Sequence, residues 1–103
     1  MSRYLVLDTA GLRIDEIYLY TAQRWGEEQA NAYIEGLFKL FARIASKQVL
    51  WKPIPAEFGV RGYYTKYEKH FVFWKELASG ETGIASILHE RMDMGHHLDR
   101  DFA

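Results

Sequence analysis

Hydrophobic residues recur at helical spacing through the first part of the chain. A short apolar run at Tyr4–Leu7 predicts a first strand, and the side chain of Asp8 or Thr9 is placed to cap the helix that follows. Across residues 10–25, apolar positions lie mostly three or four residues apart. This spacing is typical of one face of an amphipathic helix, so a helix is predicted there.

A second amphipathic helix is predicted directly after Gly26, a residue that tolerates the left-handed backbone conformation of a helix end. Glu27 and Glu28 fall in its first turn, where the helix dipole favours negative charge. Gly36 lies inside this helix at a cost of about 1 kcal/mol relative to Ala, and we interpret it as a point of close approach by the first helix. Two helices joined at one glycine predict a hairpin with an apolar seam.

After residue 46 the pattern becomes that of strands. Residues 48–58 are predicted to be irregular, because prolines remove amide donors and disfavour helix before them. The order of elements predicts an α+β fold, β-α-α-β-β-β, with a helical hairpin on a small antiparallel sheet, in one domain of residues 1–103. The later strands are predicted at 58–65, at 70–77 and from 82 onward, and a short C-terminal helix or tail at 94–103.

Composition narrows the class of protein. Hydrophobic residues make up 49% of the chain, enough for a core, and cysteine is absent, which excludes disulfides and thiolate metal sites. No apolar run approaches the ~20 residues of a membrane span, and the apolar start is too short for a signal peptide. We therefore expect a soluble, cytoplasmic domain. Residues 43–75 carry seven basic side chains against two acidic ones, which suggests an acidic protein or nucleic acid partner.

A cluster of titratable residues follows the most apolar strand. His89, Glu90, Arg91 and Asp93 come directly after an apolar run, so a core strand is expected to deliver them to one edge of the sheet. The alternative is a strand end in solvent, with His89 paired to Glu90 or Asp93 and the arginines paired to nearby carboxylates. His96-His97 does not predict a metal site, because adjacent helical side chains diverge by about 100°.

Several short motifs lie in both halves of the chain. They are Tyr20-Thr21, Trp25-Gly26, Gln29-Ala30 and Tyr33 on the hairpin, then Gly59-Val60-Arg61, His70–Trp74 and Ile87–Asp93. Each motif is weak alone, but together they cover nearly the whole chain and resemble, in order and approximate spacing, the ParE-type toxins of the RelE/ParE superfamily. Residues 50–55 depart from the pattern, because they lack the usual proline-glycine loop.

The resemblance implies the toxin of a type II toxin–antitoxin system that inhibits DNA gyrase and is neutralised by a ParD-like antitoxin. The antitoxin is expected to lay an amphipathic helix and an extended arm across the hairpin and the sheet edge. We expect no cofactor, no membrane association and no sequence-specific DNA binding by the toxin alone. The predicted antitoxin contacts are the outward apolar residues Leu12, Leu19, Tyr20 and Ile34, and the predicted target contacts are Arg61, His89, Arg91 and Asp93.

RelE relatives share the fold but cut mRNA on the ribosome, which requires a general base, an acid and cations for the developing phosphorane. If the chain were such a ribonuclease, its candidate catalytic residues would be Arg61, His70, His89 and Arg91. RelE-type nucleases also use a tyrosine or histidine near the C-terminus, and here no tyrosine follows Tyr67. We therefore favour a non-enzymatic gyrase toxin, with the ribonuclease and a binding module without toxicity as alternatives.

Overall fold

The computed structural model describes residues 3–102, in which a five-stranded sheet lies between a helical hairpin and a C-terminal helix. The predicted α+β fold with its hairpin and final helix is confirmed. No helix among these residues is long and apolar enough to cross a membrane. The elements are β1 (Tyr4–Val6), α1 (Asp8–Trp25), α2 (Glu27–Ala45), β2 (Lys52–Pro53), a 3-10 turn (Ala56–Phe58), β3 (Tyr63–Tyr67), β4 (His70–Glu76), β5 (Thr82–His89) and α3 (Met94–Asp101).

The sheet has the strand order β1-β5-β4-β3-β2 and is mixed rather than purely antiparallel. β1 pairs with β5 in parallel, whereas β2 to β5 pair antiparallel. The two helices return the chain across one face before β5 forms, and such a long connection permits parallel pairing. β2 lies within the segment predicted to be irregular; its proline is tolerated because β2 is an edge strand.

β5 lies between β1 and β4 and is covered on both faces, so six consecutive residues from Gly83 to Leu88 are buried. A bulge beside β4 lets both Ile84 and Ile87 face the hairpin together with Val72. Leu88 faces the opposite side, where α3 and the 3-10 turn close a smaller core. The strand therefore holds its exposed end, at His89, on a rigid base.

Three local predictions differ from the structure. α1 has Leu7 at its N-cap and no side-chain cap, because the Leu7 amide still pairs with the Ile84 carbonyl at 2.9 Å and the helix begins at the next residue. β3 begins at Tyr63 rather than at residue 58, since Gly59 turns the chain with a left-handed φ of 73°. Gly36 does mark a close approach, but by Tyr67 of β3 rather than by α1: an added Cβ would collide with the Tyr67 hydroxyl.

Candidate functional site

A groove of about 940 Å³ separates the helical hairpin from the end of the sheet where β3 turns into β4 and where β5 ends. On the hairpin side, Tyr20, Arg24 and Trp25 line it near the junction of the two helices. On the sheet side it is lined by two cross-strand neighbours, His70 and His89. The tight turn at Glu68, with a left-handed φ of 54°, brings the start of β4 to this end of the sheet.

The floor of the groove holds a tyrosine–histidine pair. The Tyr33 hydroxyl of α2 lies 2.6 Å from Nδ1 of His70. Tyr67 supports Tyr33, because its hydroxyl donates to the Tyr33 carbonyl at 3.0 Å and the two rings meet edge to face at 5.0 Å. The missing side chain at Gly36 leaves room for the Tyr67 hydroxyl. The pair is therefore held from behind by both α2 and β3.

Burial keeps both members of this pair uncharged near neutral pH. Desolvation, followed by the charges of Tyr67 and Glu68, raises the pKa of Tyr33 far above its ordinary value. Desolvation, followed by repulsion from His89, lowers the pKa of His70 to about 4. Both rings are therefore neutral near neutral pH, and one hydrogen bond joins the Tyr33 hydroxyl to Nδ1 of His70.

His89 lies directly across from His70, with ring centroids 5.2 Å apart. Its Nδ1 accepts from the Arg91 backbone amide at 3.1 Å. The alternative in which His89 pairs with Glu90 or Asp93 is wrong, because both carboxylates are engaged elsewhere. The hydrogen bond and charge of Lys66, 3.0 Å away, hold the pKa of Glu90 below its ordinary range. Asp93 caps α3 by accepting from the His96 amide at 3.2 Å.

Comparison with known proteins identifies the family of this chain. Residues 4–94 match the family model described as the ParE toxin of the type II toxin–antitoxin system parDE. The chain belongs to the ParE toxin family. The Toxin ParE of Escherichia coli is 31% identical over 94 residues, covering 91% of this chain and 90% of that protein. The Toxin ParE1 of Mycobacterium tuberculosis is 29% identical over 99 residues, covering 94% and 98%, and the Toxin ParE1 of Caulobacter vibrioides is 30% identical over 100 residues, covering 95% and 99%.

In this ParE toxin, the predicted target contacts do not all meet. His89 and Arg91 line the groove, and Asp93 follows at the start of α3. Arg61 precedes β3 at the strand's other end, roughly 20 Å away along the sheet. Across residues 3–102 neither Arg61 nor Arg91 forms an ion pair, so pairing of these arginines to carboxylates is not observed.

Three of the predicted antitoxin contacts are exposed on α1. Leu12, Leu19 and Tyr20 each expose about 60% of their surface, and Tyr20 also lines the groove. Ile34 was expected to face outward, and that prediction is wrong: it is partly buried and packs against the hairpin core. Helical spacing places Ile34 at the border of the apolar face, and packing against the core covers part of that border.

The sequence predicted residues that line the groove, such as Tyr20, His89 and Arg91, but not the contacts among Tyr33, Tyr67 and His70 at its floor. Tyr33 was predicted as an apolar-face residue of the second helix and as part of a family motif, and Tyr67 as a turn residue and the last tyrosine of the chain, but no contact between them was predicted. Their contact joins residues more than thirty positions apart, which periodicity cannot reveal. The one available signal was Gly36, since a glycine inside a helix often marks a close neighbour.

One of the two histidines of α3, His97, takes part in a contact with α1. Arg13 of α1 lies 3.1 Å from Nδ1 of His97, and its guanidinium also binds Asp101. No group of three or more histidine or acidic side chains within residues 3–102 is placed to hold a metal ion.

Proposed function

We propose that this ParE toxin inhibits DNA gyrase in the cytoplasm by binding it through the groove, and that a ParD-like antitoxin neutralises it by covering the same groove. One observation carries the proposal: Tyr20, a predicted antitoxin contact, and His89 and Arg91, predicted target contacts, line a single groove. An antitoxin helix seated on Tyr20 would therefore exclude the target without any change in the toxin's conformation. The resemblance to ParE toxins supports gyrase as the target.

The groove has the composition of a protein-binding surface. Trp25 and Tyr20 are more than half exposed, and the Arg24 guanidinium lies 5.6 Å from the centre of the Tyr20 ring. Lys69 and Arg91 add charge on the opposite wall, and neither has an ion-pair partner among the residues that the structure describes. Tryptophan, tyrosine and arginine are the residues that most often dominate protein interfaces.

The same geometry is less suited to cutting RNA. A general base needs a free nitrogen with a pKa near the working pH. His70 has its Nδ1 engaged by Tyr33 and a pKa near 4, so it is a poor proton acceptor. Arg61 lies roughly 20 Å from the histidines, which is too far to share a phosphate with them. These observations favour binding over the RelE-like alternative.

The target is tested with purified toxin in a DNA gyrase supercoiling and cleavage-complex assay. Arg91→Ala should raise the concentration needed for inhibition about tenfold or more if Arg91 is an anchor of the interface. Arg100→Ala, an exposed arginine of α3, is the matched control and should behave as wild type. Inactivity on gyrase combined with mRNA cleavage in a translating extract would refute the proposal and favour the ribonuclease.

The shared groove is tested separately with the antitoxin. Tyr20→Asp should weaken antitoxin binding and gyrase inhibition together, because it places a charge in a surface used by both partners. Leu50→Asp is the matched control, since Leu50 is 94% exposed and does not line the groove. If antitoxin-bound toxin still binds gyrase, the two partners use different surfaces and neutralisation does not occur by occlusion.

A further inference from the structure

A second cavity of about 440 Å³ lies at the opposite end of the sheet from the groove. It is bounded by the end of β4, the start of β5 and the segment after α2. β4 spans seven residues, so roughly 20 Å of sheet separates the two sites. The aromatic and basic residues that line this cavity are Trp51, Tyr63, Trp74, Arg3 and Lys47.

Three aromatic rings form its wall. Trp51 meets Tyr63 at 6.4 Å with ring planes at 86°, and Tyr63 lies 6.2 Å from Trp74 at 34°. Trp74 is buried, whereas Trp51 and Tyr63 remain 46% and 39% exposed. Strand pairing places Tyr63 beside Trp74, and Trp51 directly precedes the edge strand β2. The wall is an aromatic corner that is open to solvent.

The rim of this corner is cationic. Arg3 and Lys47 line the cavity against a single carboxylate, Glu76. Neither cation has an ion-pair partner within residues 3–102. The backbone that carries Lys47 is fixed, because the residue has a left-handed φ of 60° and its amide binds the Ile44 carbonyl at 3.0 Å. The next residue, Gln48, donates to the Arg43 carbonyl at 2.8 Å.

We propose that this corner binds single-stranded nucleic acid, with a base stacked on the exposed Trp51 ring, its edge toward Tyr63, and its phosphates beside Arg3 and Lys47. Aromatic faces flanked by cations bind single strands with little sequence preference, because every base has a stacking face. The cavity volume falls within the ~300–1,000 Å³ of small-ligand sites. A duplex is excluded, since its bases are not free to stack on protein rings. Such binding is compatible with the expected lack of sequence-specific DNA binding.

The proposal is tested with the full-length toxin, free of antitoxin, and fluorescently labelled oligonucleotides of ~12 nucleotides. Fluorescence anisotropy at ~50 mM salt compares oligothymidine, oligouridine and a duplex of the same length. Trp51→Ala should weaken single-strand binding about 5- to 150-fold, the usual effect of losing one stacking ring. Trp25→Ala, an exposed tryptophan in the groove, is the matched control and should leave binding unchanged.

The charge contribution has its own measurement, which does not depend on the stability of the tryptophan variant. Lys47→Gln should reduce the slope of log affinity against log salt by about 0.7, the value for one lost phosphate contact on a single strand. Lys39→Gln, an exposed lysine of α2, should leave the slope unchanged. Tighter binding of oligothymidine would support a single-stranded DNA site, and tighter binding of oligouridine a single-stranded RNA site. Equal binding of the two would support a site that accepts either strand.

Three results would overturn the inference. Absence of single-strand binding by the wild-type toxin is the first. Duplex binding as tight as single-strand binding is the second, since it would mean charge attraction without stacking. The third is a loss of antitoxin or gyrase binding in Trp51→Ala while oligonucleotide binding is unchanged, which would assign the corner to a protein partner. The inference does not rest on gyrase as the target, because Trp51 lies outside the groove.

Discussion

Asp101 is a buried carboxylate that joins the C-terminal helix to the rest of the toxin. Its side chain is 2% exposed and that of its partner Arg13 is 17% exposed. Arg13 binds both carboxylate oxygens, with Nε and Nη2 each at 3.2 Å, and the Ser86 hydroxyl of β5 also donates to Asp101. β1 pairs only with Thr82–Ile84, so the second half of β5 has an open edge here, past which α1 reaches α3.

We predict that Arg13→Met destabilises the toxin by about 3 kcal/mol. Breaking a buried ion pair from one side costs roughly 3–5 kcal/mol, because the remaining charge is desolvated without a partner. The lower end applies, since Ser86 still binds the carboxylate and the partial exposure of Arg13 would let water reach it. For a chain of about 100 residues this corresponds to a fall in Tm of roughly 12–24 °C.

Urea unfolding followed by circular dichroism measures the effect, with Arg24→Met as the matched control. Arg24 is exposed on the same helix, so its replacement should change the free energy of unfolding by less than about 0.5 kcal/mol. The double variant Arg13→Met/Asp101→Asn should be more stable than Arg13→Met alone, because it removes the unpaired charge. The reasoning is refuted if Arg13→Met unfolds within about 1 kcal/mol of wild type, or if the double variant is the less stable of the two.

Three further predictions use the same unfolding measurement. Gly36→Ala should lower the free energy of unfolding by about 1–3 kcal/mol, because its Cβ would meet the Tyr67 hydroxyl. Adding Tyr67→Phe to that variant should relieve the loss. Gly11→Ala, which has open space around it, should instead raise the free energy of unfolding by about 0.4–1 kcal/mol. The pKa of His70 is lowered from 6.5 to about 4, so the unfolded chain binds the proton more readily than the folded one. The free energy of unfolding should therefore fall by at most about 3 kcal/mol as pH drops from 6.5 to 4. His70→Gln should make the free energy of unfolding less dependent on pH in this range. Asp93→Ala should lose the α3 cap at a cost of about 1 kcal/mol while Asp93→Asn keeps it, and equal losses in both would contradict a capping role.

The spacing of apolar residues was sufficient to predict the hairpin, β4 and β5, whereas the C-terminal stretch was predicted only as a short helix or tail. Helical and strand periods are local properties, so they identify which face of each element is apolar without knowledge of the fold. The apolar run before His89 likewise predicted a strand end that presents polar groups, and the groove lies there. The resemblance to ParE toxins came from several motifs taken together, and the periodicity of a single helix or strand could not have supplied it.

Long-range packing decided which of these residues meet. Parallel pairing of β1 with β5, the approach of Tyr67 to Gly36 and the contact of Tyr33 with His70 each join distant parts of the chain. The length of β3 separates Arg61 from the histidines, although all were equal candidates in the sequence. A local pattern cannot predict such contacts, because they depend on how helices and strands stack once their apolar faces are buried together.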